Sequence, residues 1–152
     1  MTFVMEYTHR PNPLVAGRTA WTADERRGAE VFRDRCEPCH QARLATDRAN
    51  TRAPFTAWEA LVLSPAGPLV WARETYERTG VEPYVHERGT RVPSLRRLYL
   101  KRPYFTSGAA ADLDEVLRRA RVAPEGFRHW GDGGEALDPA SRGALRAFLD
   151  LL

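Results

Sequence analysis

Five consecutive residues, Cys36-Glu37-Pro38-Cys39-His40, limit the structures open to this chain more than any other stretch. They hold both of its cysteines, so no long-range disulfide can stabilise the fold. Two thiols three residues apart can bond to the two vinyl groups of one haem, while the histidine that follows reaches the iron from the same side. The motif therefore predicts a single, covalently attached haem c, bound through Cys36 and Cys39 with His40 as the proximal iron ligand.

Zinc binding and dithiol redox chemistry are the two alternatives for this motif. A structural zinc ion needs four protein ligands, but the motif supplies three, and the other histidines are scattered without a second cysteine pair. A thioredoxin-like redox pair lies at a helix start after a strand, within a βαβ unit, whereas a predicted helix precedes Cys36. Both alternatives are therefore less favoured than haem.

The composition is that of an ordinary globular domain. The chain has 152 residues, of which 43% are hydrophobic and 28% charged, and this length suits a single core. Its net charge of +3 is spread along the sequence, and no Lys/Arg run is long enough to indicate nucleic-acid binding. We therefore expect no nucleic-acid partner, although the positive charge could steer an acidic redox partner.

Export is expected from the chemistry of the motif. Bacteria normally attach this kind of haem outside the cytoplasm, so a periplasmic or otherwise exported location is predicted. No apolar run approaches the roughly 20 residues that span a bilayer, and Met1 to Arg10 lack the order of a signal peptide. The expectation is therefore a processed or excised segment, or a domain cut from a larger protein, without a transmembrane segment.

The residue pattern predicts an all-α domain with long irregular loops. Residues 1–21 form an arm or linker, and residues 22–152 form the haem domain, whose first helix begins at a capping box, Thr22 with Glu25. No segment alternates polar and apolar residues convincingly, and 124–134 is expected to be loop. Further helical segments are predicted at 55–63, 68–79, 94–100, 112–121 and 139–152.

The order of N-terminal helix, attachment motif, loops and C-terminal helix resembles a class I cytochrome c domain. The resemblance implies that the first and last helices cross, with Gly28 and Phe32 packed against Phe148 and Leu149. From about residue 24 to the end, the chain is also similar to the C-terminal haem domain of bacterial di-haem cytochrome c peroxidases and MauG-type enzymes. The segments that carry this similarity are Arg91-Val92-Pro93-Ser94-Leu95-Arg96, Pro103-Tyr104-Phe105 with Gly108, and Leu113-Asp114-Glu115-Val116-Leu117.

Two departures from that family affect the expected function. Di-haem members carry a second attachment site in an N-terminal domain, whereas this chain has one. Members often carry His-Asp between the aromatic residue of the Pro-Tyr-Phe segment and the glycine, where this chain has Thr106-Ser107.

The second axial ligand of the iron is the open question. The two methionines, Met1 and Met5, precede the motif, so an axial methionine is not expected. His129 is the favoured ligand, because it lies in the loop where the family's domain presents its distal ligand. His86 is the second candidate, His9 is expected to be solvated, and an open iron site is the remaining possibility. Two imidazoles would give a six-coordinate iron of low potential, suited to electron transfer.

Other residues have candidate roles beside the haem. Arg91 and Arg96 could pair with the haem propionates, since a guanidinium matches carboxylate geometry, or could be solvated. Tyr104 and Phe105 could line the haem pocket, with core packing the favoured role for Phe105. Trp130 could pack on the haem. Two further tryptophans, Trp58 and Trp71, could belong to the core.

The leading functional prediction is one-electron transfer through the single haem, between partners in the periplasm. The alternative is the haem-bearing half of a peroxidase-like oxidoreductase with an open or exchangeable distal site. For either function, the expected partner is a redox protein or a second haem domain. A third possibility is a structural haem subunit with little redox activity.

Overall fold

A computed structural model of the chain describes residues 11–45, 51–73, 92–105, 108–123, 126–129, 131 and 133–152. The helices and strands of these ranges are α1 (Ala23–Arg35), α2 (Phe55–Val62), a 3₁₀ turn (Leu98–Leu100), α3 (Leu113–Arg119), β1 (Arg121–Ala123), β2 (Gly126–Arg128), β3 (Glu135–Ala136) and α4 (Pro139–Leu149). None of these helices has the length and apolar character that crossing a bilayer requires.

Helix α1 begins at the predicted capping box. The Thr22 hydroxyl accepts from the Glu25 N–H, and the Glu25 carboxylate accepts from the Thr22 N–H at 2.7 Å. Arg18 also donates to the Glu25 carboxylate, which is buried. These bonds satisfy amides that the first turn of a helix would otherwise leave exposed, so the helix start follows from local sequence.

Helices α1 and α4 cross in close contact, which confirms the predicted packing of Gly28 and Phe32. A Cβ added at residue 28 would overlap the Ala144 carbonyl oxygen and lie 2.9 Å from the Cβ of Phe148. The rings of Phe32 and Phe148 lie 5.3 Å apart, centroid to centroid. Only glycine leaves room for this backbone-to-backbone approach.

Aromatic side chains fill the space between the crossing helices and the chain that follows the motif. The two tryptophans predicted for the core are both buried, Trp58 at 1% exposure and Trp71 at 2%. Their ring centroids lie 4.9 Å apart, and each ring also contacts Phe32. Edge-to-face packing of this kind adds specific geometry to the burial of apolar area.

The expectation of an all-α fold is wrong, because the chain after α3 forms a three-stranded antiparallel sheet in the order β2-β1-β3. Val122 pairs with Phe127 on one side and with Glu135 on the other. Strands of two or three residues are too short to show alternation, so the pattern predicted only loop over 124–134. The return to β3 passes through Gly134, at φ 97°, where a Cβ would lie 2.5 Å from the Val122 carbonyl oxygen.

The predicted helix over 68–79 is also wrong within its described part, residues 68–73. There Leu69 forms a bridge with Leu44, and the Val70 N–H donates to the Arg43 carbonyl at 2.9 Å. Trp71 has φ 57°, outside the right-handed helical region. The rest of that predicted helix lies outside the described residues.

The other predicted helices are present with small differences at their ends. The helix predicted for 112–121 is capped by Asp112 but ends at Arg119, because Arg121 begins β1. The turn predicted for 94–100 is helical only over Leu98–Leu100.

Residues 11–21 of the expected arm pack on the domain. Asn12 donates to the Asp150 carbonyl at 2.8 Å, and Val15 and Trp21 are buried.

Candidate functional site

The Cys36–His40 motif continues α1 as one further helical turn. The Cys36 and Glu37 N–H groups both donate to the Phe32 carbonyl, at 2.8 and 2.9 Å. The His40 N–H then donates to the Cys36 carbonyl at 2.8 Å. The position of His40 is therefore set by the helix that packs against α4.

The motif turn is also tied to the chain that follows it. Glu37 is buried at 6% exposure, and its two carboxylate oxygens accept from Nε and Nη2 of Arg52, with Nε at 2.7 Å. Arg52 pairs in turn with Arg43 through a β-bridge. A two-point guanidinium–carboxylate pair fixes orientation as well as distance. Sequence reasoning missed this contact, since nothing local links Glu37 to Arg52.

His40 is buried at 6% exposure, and its Nδ1 is shielded from solvent without a hydrogen bond. Burial lowers the pKa of His40 to about 4, with a further contribution from His129. The carbonyl groups of Trp71 and Pro93 lie close enough to oppose that pKa shift, although neither makes a hydrogen bond of good geometry with Nδ1. The imidazole is therefore neutral near pH 7, the form in which histidine binds metals.

His129 follows β2 directly, so the sheet that sequence analysis did not predict is the element that positions it. The His129 ring lies 5.3 Å from the Phe127 ring and 6.2 Å from the Phe105 ring, centroid to centroid. Its Nδ1 is buried without a partner, and burial lowers its pKa to about 4. Sequence reasoning named Phe105 as a possible neighbour of the haem and missed Phe127.

The structure brings His40 and His129 together. Their ring centroids are 5.9 Å apart, and the ring planes are inclined at 68°. Imidazole nitrogens bind transition metals at about 2 Å, so one ion held between two imidazoles separates their centres by about 6 Å. The observed separation matches that value. One buried and one partly buried imidazole at this distance could hold one iron between them.

The two thiols differ in their surroundings. Cys36 is buried and Cys39 partly exposed, and neither is bonded in a disulfide. Burial raises the pKa of Cys36 to about 12, so this thiol is protonated near pH 7. Both cysteines lie on the same turn as His40.

Arg96 has the features expected of a group that binds an anion. Its Nε is buried without a hydrogen-bond partner, and burial lowers its pKa, as does the charge of Arg97. A buried N–H of a cation that lacks an acceptor is costly, and a carboxylate such as a haem propionate would satisfy it.

Tyr104 is bonded to the 3₁₀ turn. Its hydroxyl donates to the Leu98 carbonyl at 3.2 Å, and its ring lines a surface cleft with Asn12 and Arg146. The sequence-predicted residues Arg91 and Trp130, and the alternative ligands His86 and His9, lie outside the described residues.

Clusters of three or more His, Cys, Asp or Glu side chains that could hold a metal ion do not occur in the described ranges. That finding concerns sites built wholly from protein, whereas haem iron takes four of its ligands from the porphyrin. No protein-family model matches the chain, and neither the curated proteins nor the solved structures give a significant match. The similarity to di-haem peroxidase and MauG-type domains therefore stays a prediction.

Proposed function

We propose that this chain is a c-type haem protein that transfers single electrons. One haem c would be attached through Cys36 and Cys39, and His40 and His129 would hold its iron. The 5.9 Å separation of the two imidazole centroids is the observation that carries the proposal. When bound, the haem supplies reversible one-electron exchange at its iron.

The roles of the chain's own residues follow from their positions. His40 and His129 would hold the iron as neutral imidazoles, because burial lowers their pKa values below neutral pH. Two imidazole ligands favour a low reduction potential and leave no coordination position for peroxide. Electron transfer is therefore favoured over the peroxidase-like alternative.

The groups around the two histidines have supporting roles. Phe105 and Phe127 lie beside the His129 ring and would limit water access to that side. The buried, unsatisfied Nε of Arg96 would donate to a propionate. The Glu37–Arg52 pair holds the motif turn in place without contacting the iron.

The chemistry also suggests where the protein works. Thioether attachment normally takes place outside the bacterial cytoplasm, so we propose a periplasmic or otherwise exported site of action. The partner is a redox protein or a second haem domain.

Absorption spectroscopy tests the proposal. The full chain is expressed with a haem-attachment system, and covalent haem is measured as the pyridine haemochrome after acid–acetone extraction. One haem per chain that resists extraction is expected, whereas a Cys36→Ser/Cys39→Ser variant should release any haem into the acetone.

The absorption spectrum of the ferric protein then distinguishes electron transfer from peroxidase-like catalysis. Low-spin bands that do not change with cyanide or peroxide are expected from two imidazole ligands. High-spin ferric bands that respond quickly to either reagent would instead support the peroxidase-like function. Absence of covalent haem would overturn both.

A further inference from the structure

The segment from Arg96 to Arg102 carries an unusual concentration of positive charge. Four of its seven residues are basic, none is acidic, and it contains Lys101, the single lysine of the chain. The remaining three residues form the Leu98–Leu100 3₁₀ turn. The segment from Arg96 to Arg102 is called the basic segment below.

The cations of the basic segment repel one another instead of pairing with carboxylates. Burial and the charge of Arg97 lower the pKa values of both Arg96 and Lys101. Within the described ranges, no side-chain hydrogen bond or ion pair is formed by Arg97 or Arg102. Elsewhere in the described chain, ion pairs with carboxylates are formed by Arg18, Arg52 and Arg146. The basic segment therefore has positive charge that an external anionic group could neutralise.

The basic segment is anchored beside the candidate haem site. The Leu98 N–H donates to the Leu152 carbonyl at 3.1 Å, and Lys101 Nζ donates to the Ser94 carbonyl at 2.6 Å. The Ser94 hydroxyl donates to the Val70 carbonyl, next to Trp71. The carbonyls of Trp71 and Pro93 in turn lie near His40. Hydrogen bonds therefore link the basic segment to the chain that lies beside His40.

One exposed apolar side chain lies within this charged surface. Leu100 is 57% exposed and is one of the two large hydrophobic residues that the described chain leaves exposed. Arg97, Lys101 and Arg102 surround it in sequence. An apolar centre with a charged rim is the usual composition of a protein–protein interface.

We propose that the basic segment is the docking surface for an acidic redox-partner protein. This inference rests on the proposed electron-transfer function and specifies the chemistry of its partner. Arg97 and Arg102 carry planar guanidinium groups, which match side-chain carboxylates in two-point contacts. A membrane surface is a poorer fit, because interfacial binding needs a broad apolar face and Leu100 is a single side chain.

Charge reversal at two positions tests the docking surface. The variant Arg97→Glu/Arg102→Glu leaves intact Arg96, the candidate propionate partner, and Lys101, which bonds to Ser94. Its matched control is Arg27→Glu/Arg142→Glu, which changes the net charge equally on α1 and α4. Arg27 lies nine residues before Cys36, about 13 Å along the helix axis. Both variants should keep the parent's haem spectrum.

The probe is reduced plant-type ferredoxin, an acidic one-electron donor. In stopped-flow mixing, each ferredoxin cluster loses one electron and one ferric iron becomes ferrous. At low ionic strength we expect the Arg97→Glu/Arg102→Glu variant to react about tenfold more slowly than the parent, and the control variant within about twofold. The difference should shrink as salt is raised, because salt screens the charges.

Three results would overturn the docking proposal. Equal slowing in both variants would assign the effect to net charge. No slowing in either would remove the basic segment from docking. Loss of sedimentation with phosphatidylglycerol vesicles in the Arg97→Glu/Arg102→Glu variant, with an unchanged ferredoxin rate, would assign the surface to an anionic membrane.

A calorimetric titration with ferredoxin separates this proposal from the function on which it rests. Binding that the Arg97→Glu/Arg102→Glu variant loses and the control keeps would support docking even in a chain without haem. Covalent haem together with equal binding by all three proteins would uphold the haem proposal and overturn the docking surface.

Discussion

The imidazole rings of His40 and His129 lie 5.9 Å apart, although the two residues come from opposite halves of the sequence. One belongs to the turn that extends α1, and the other follows the second strand of a small sheet. Both Nδ1 atoms are buried without hydrogen bonds.

Replacement of His129 by alanine should remove the distal ligand. We expect the ferric spectrum to change from low-spin to high-spin and the protein to bind cyanide readily. His86→Ala is the matched control, because His86 is the second candidate ligand, and its spectrum should stay low-spin. An unchanged spectrum in His129→Ala, together with a high-spin spectrum in His86→Ala, would show that His86 is the distal ligand instead of His129.

Replacement of Gly28 by alanine should destabilise the fold, because the new Cβ would overlap the Ala144 carbonyl oxygen where α1 crosses α4. We expect the free energy of unfolding to fall by at least about 2 kcal/mol, measured by denaturant titration. Gly143→Ala is the control on α4, since a Cβ there would meet nothing within 4 Å. Its helical position predicts a gain of about 0.5–1 kcal/mol. Equal effects at the two sites would contradict the close crossing.

The Glu37–Arg52 pair should respond unequally to removal of its two partners. Arg52→Met leaves a buried carboxylate without its cation and is expected to cost about 2–3 kcal/mol of unfolding free energy. Glu37→Gln should cost less than half of that, because the Arg52 side chain is 55% exposed and can be hydrated. The exposed Arg33–Asp34 pair provides the control, where Asp34→Asn should change stability by no more than about 0.5 kcal/mol. Equal losses in Arg52→Met and Glu37→Gln would show that burial of the carboxylate does not decide the cost.

Ionisation of Glu25 should make the free energy of unfolding depend on pH. The Arg18 hydrogen bond lowers the pKa of Glu25 below its ordinary value, so the folded state binds a proton on this carboxylate less readily than the unfolded chain. The resulting stability is complete above the unfolded pKa of about 4.5 and is lost as pH falls through the lower folded value.

A comparison of two glutamate variants on α1 measures this effect. Glu25→Gln can still cap the helix through its amide oxygen, yet its unfolding free energy should fall less steeply than the parent's between pH 6 and pH 3. Glu30→Gln, at an exposed position of the same helix, should follow the parent curve. A Glu25→Gln curve parallel to the parent's would show that the Arg18 contact does not persist in solution.

Local features of the fold could be predicted from the sequence. The start of α1 at Thr22, the Asp112 cap of α3 and the Pro139 start of α4 each depend on residues within one helical turn. The α1–α4 crossing was predicted through a family resemblance, and the structure confirms its geometry. Such features need no knowledge of distant parts of the chain.

The sheet and the 68–73 segment could not be predicted in the same way. Their residues form no periodic pattern, and their hydrogen bonds join distant parts of the chain, such as Val70 to Arg43 and Val122 to Glu135. Tertiary pairing therefore overrode the helical spacing that begins at Pro68.

The sequence by itself determined that Cys36, Cys39 and His40 lie on one turn of the chain, because that arrangement depends only on neighbouring residues. It also named His129 as the favoured distal ligand, through a family resemblance, with His86 as the second candidate. Only the tertiary structure decided that the β2 strand carries His129 to His40 and that Arg52 neutralises Glu37. The physical reason is that these contacts depend on how the helices and the sheet pack together, and packing joins residues with no relation in sequence.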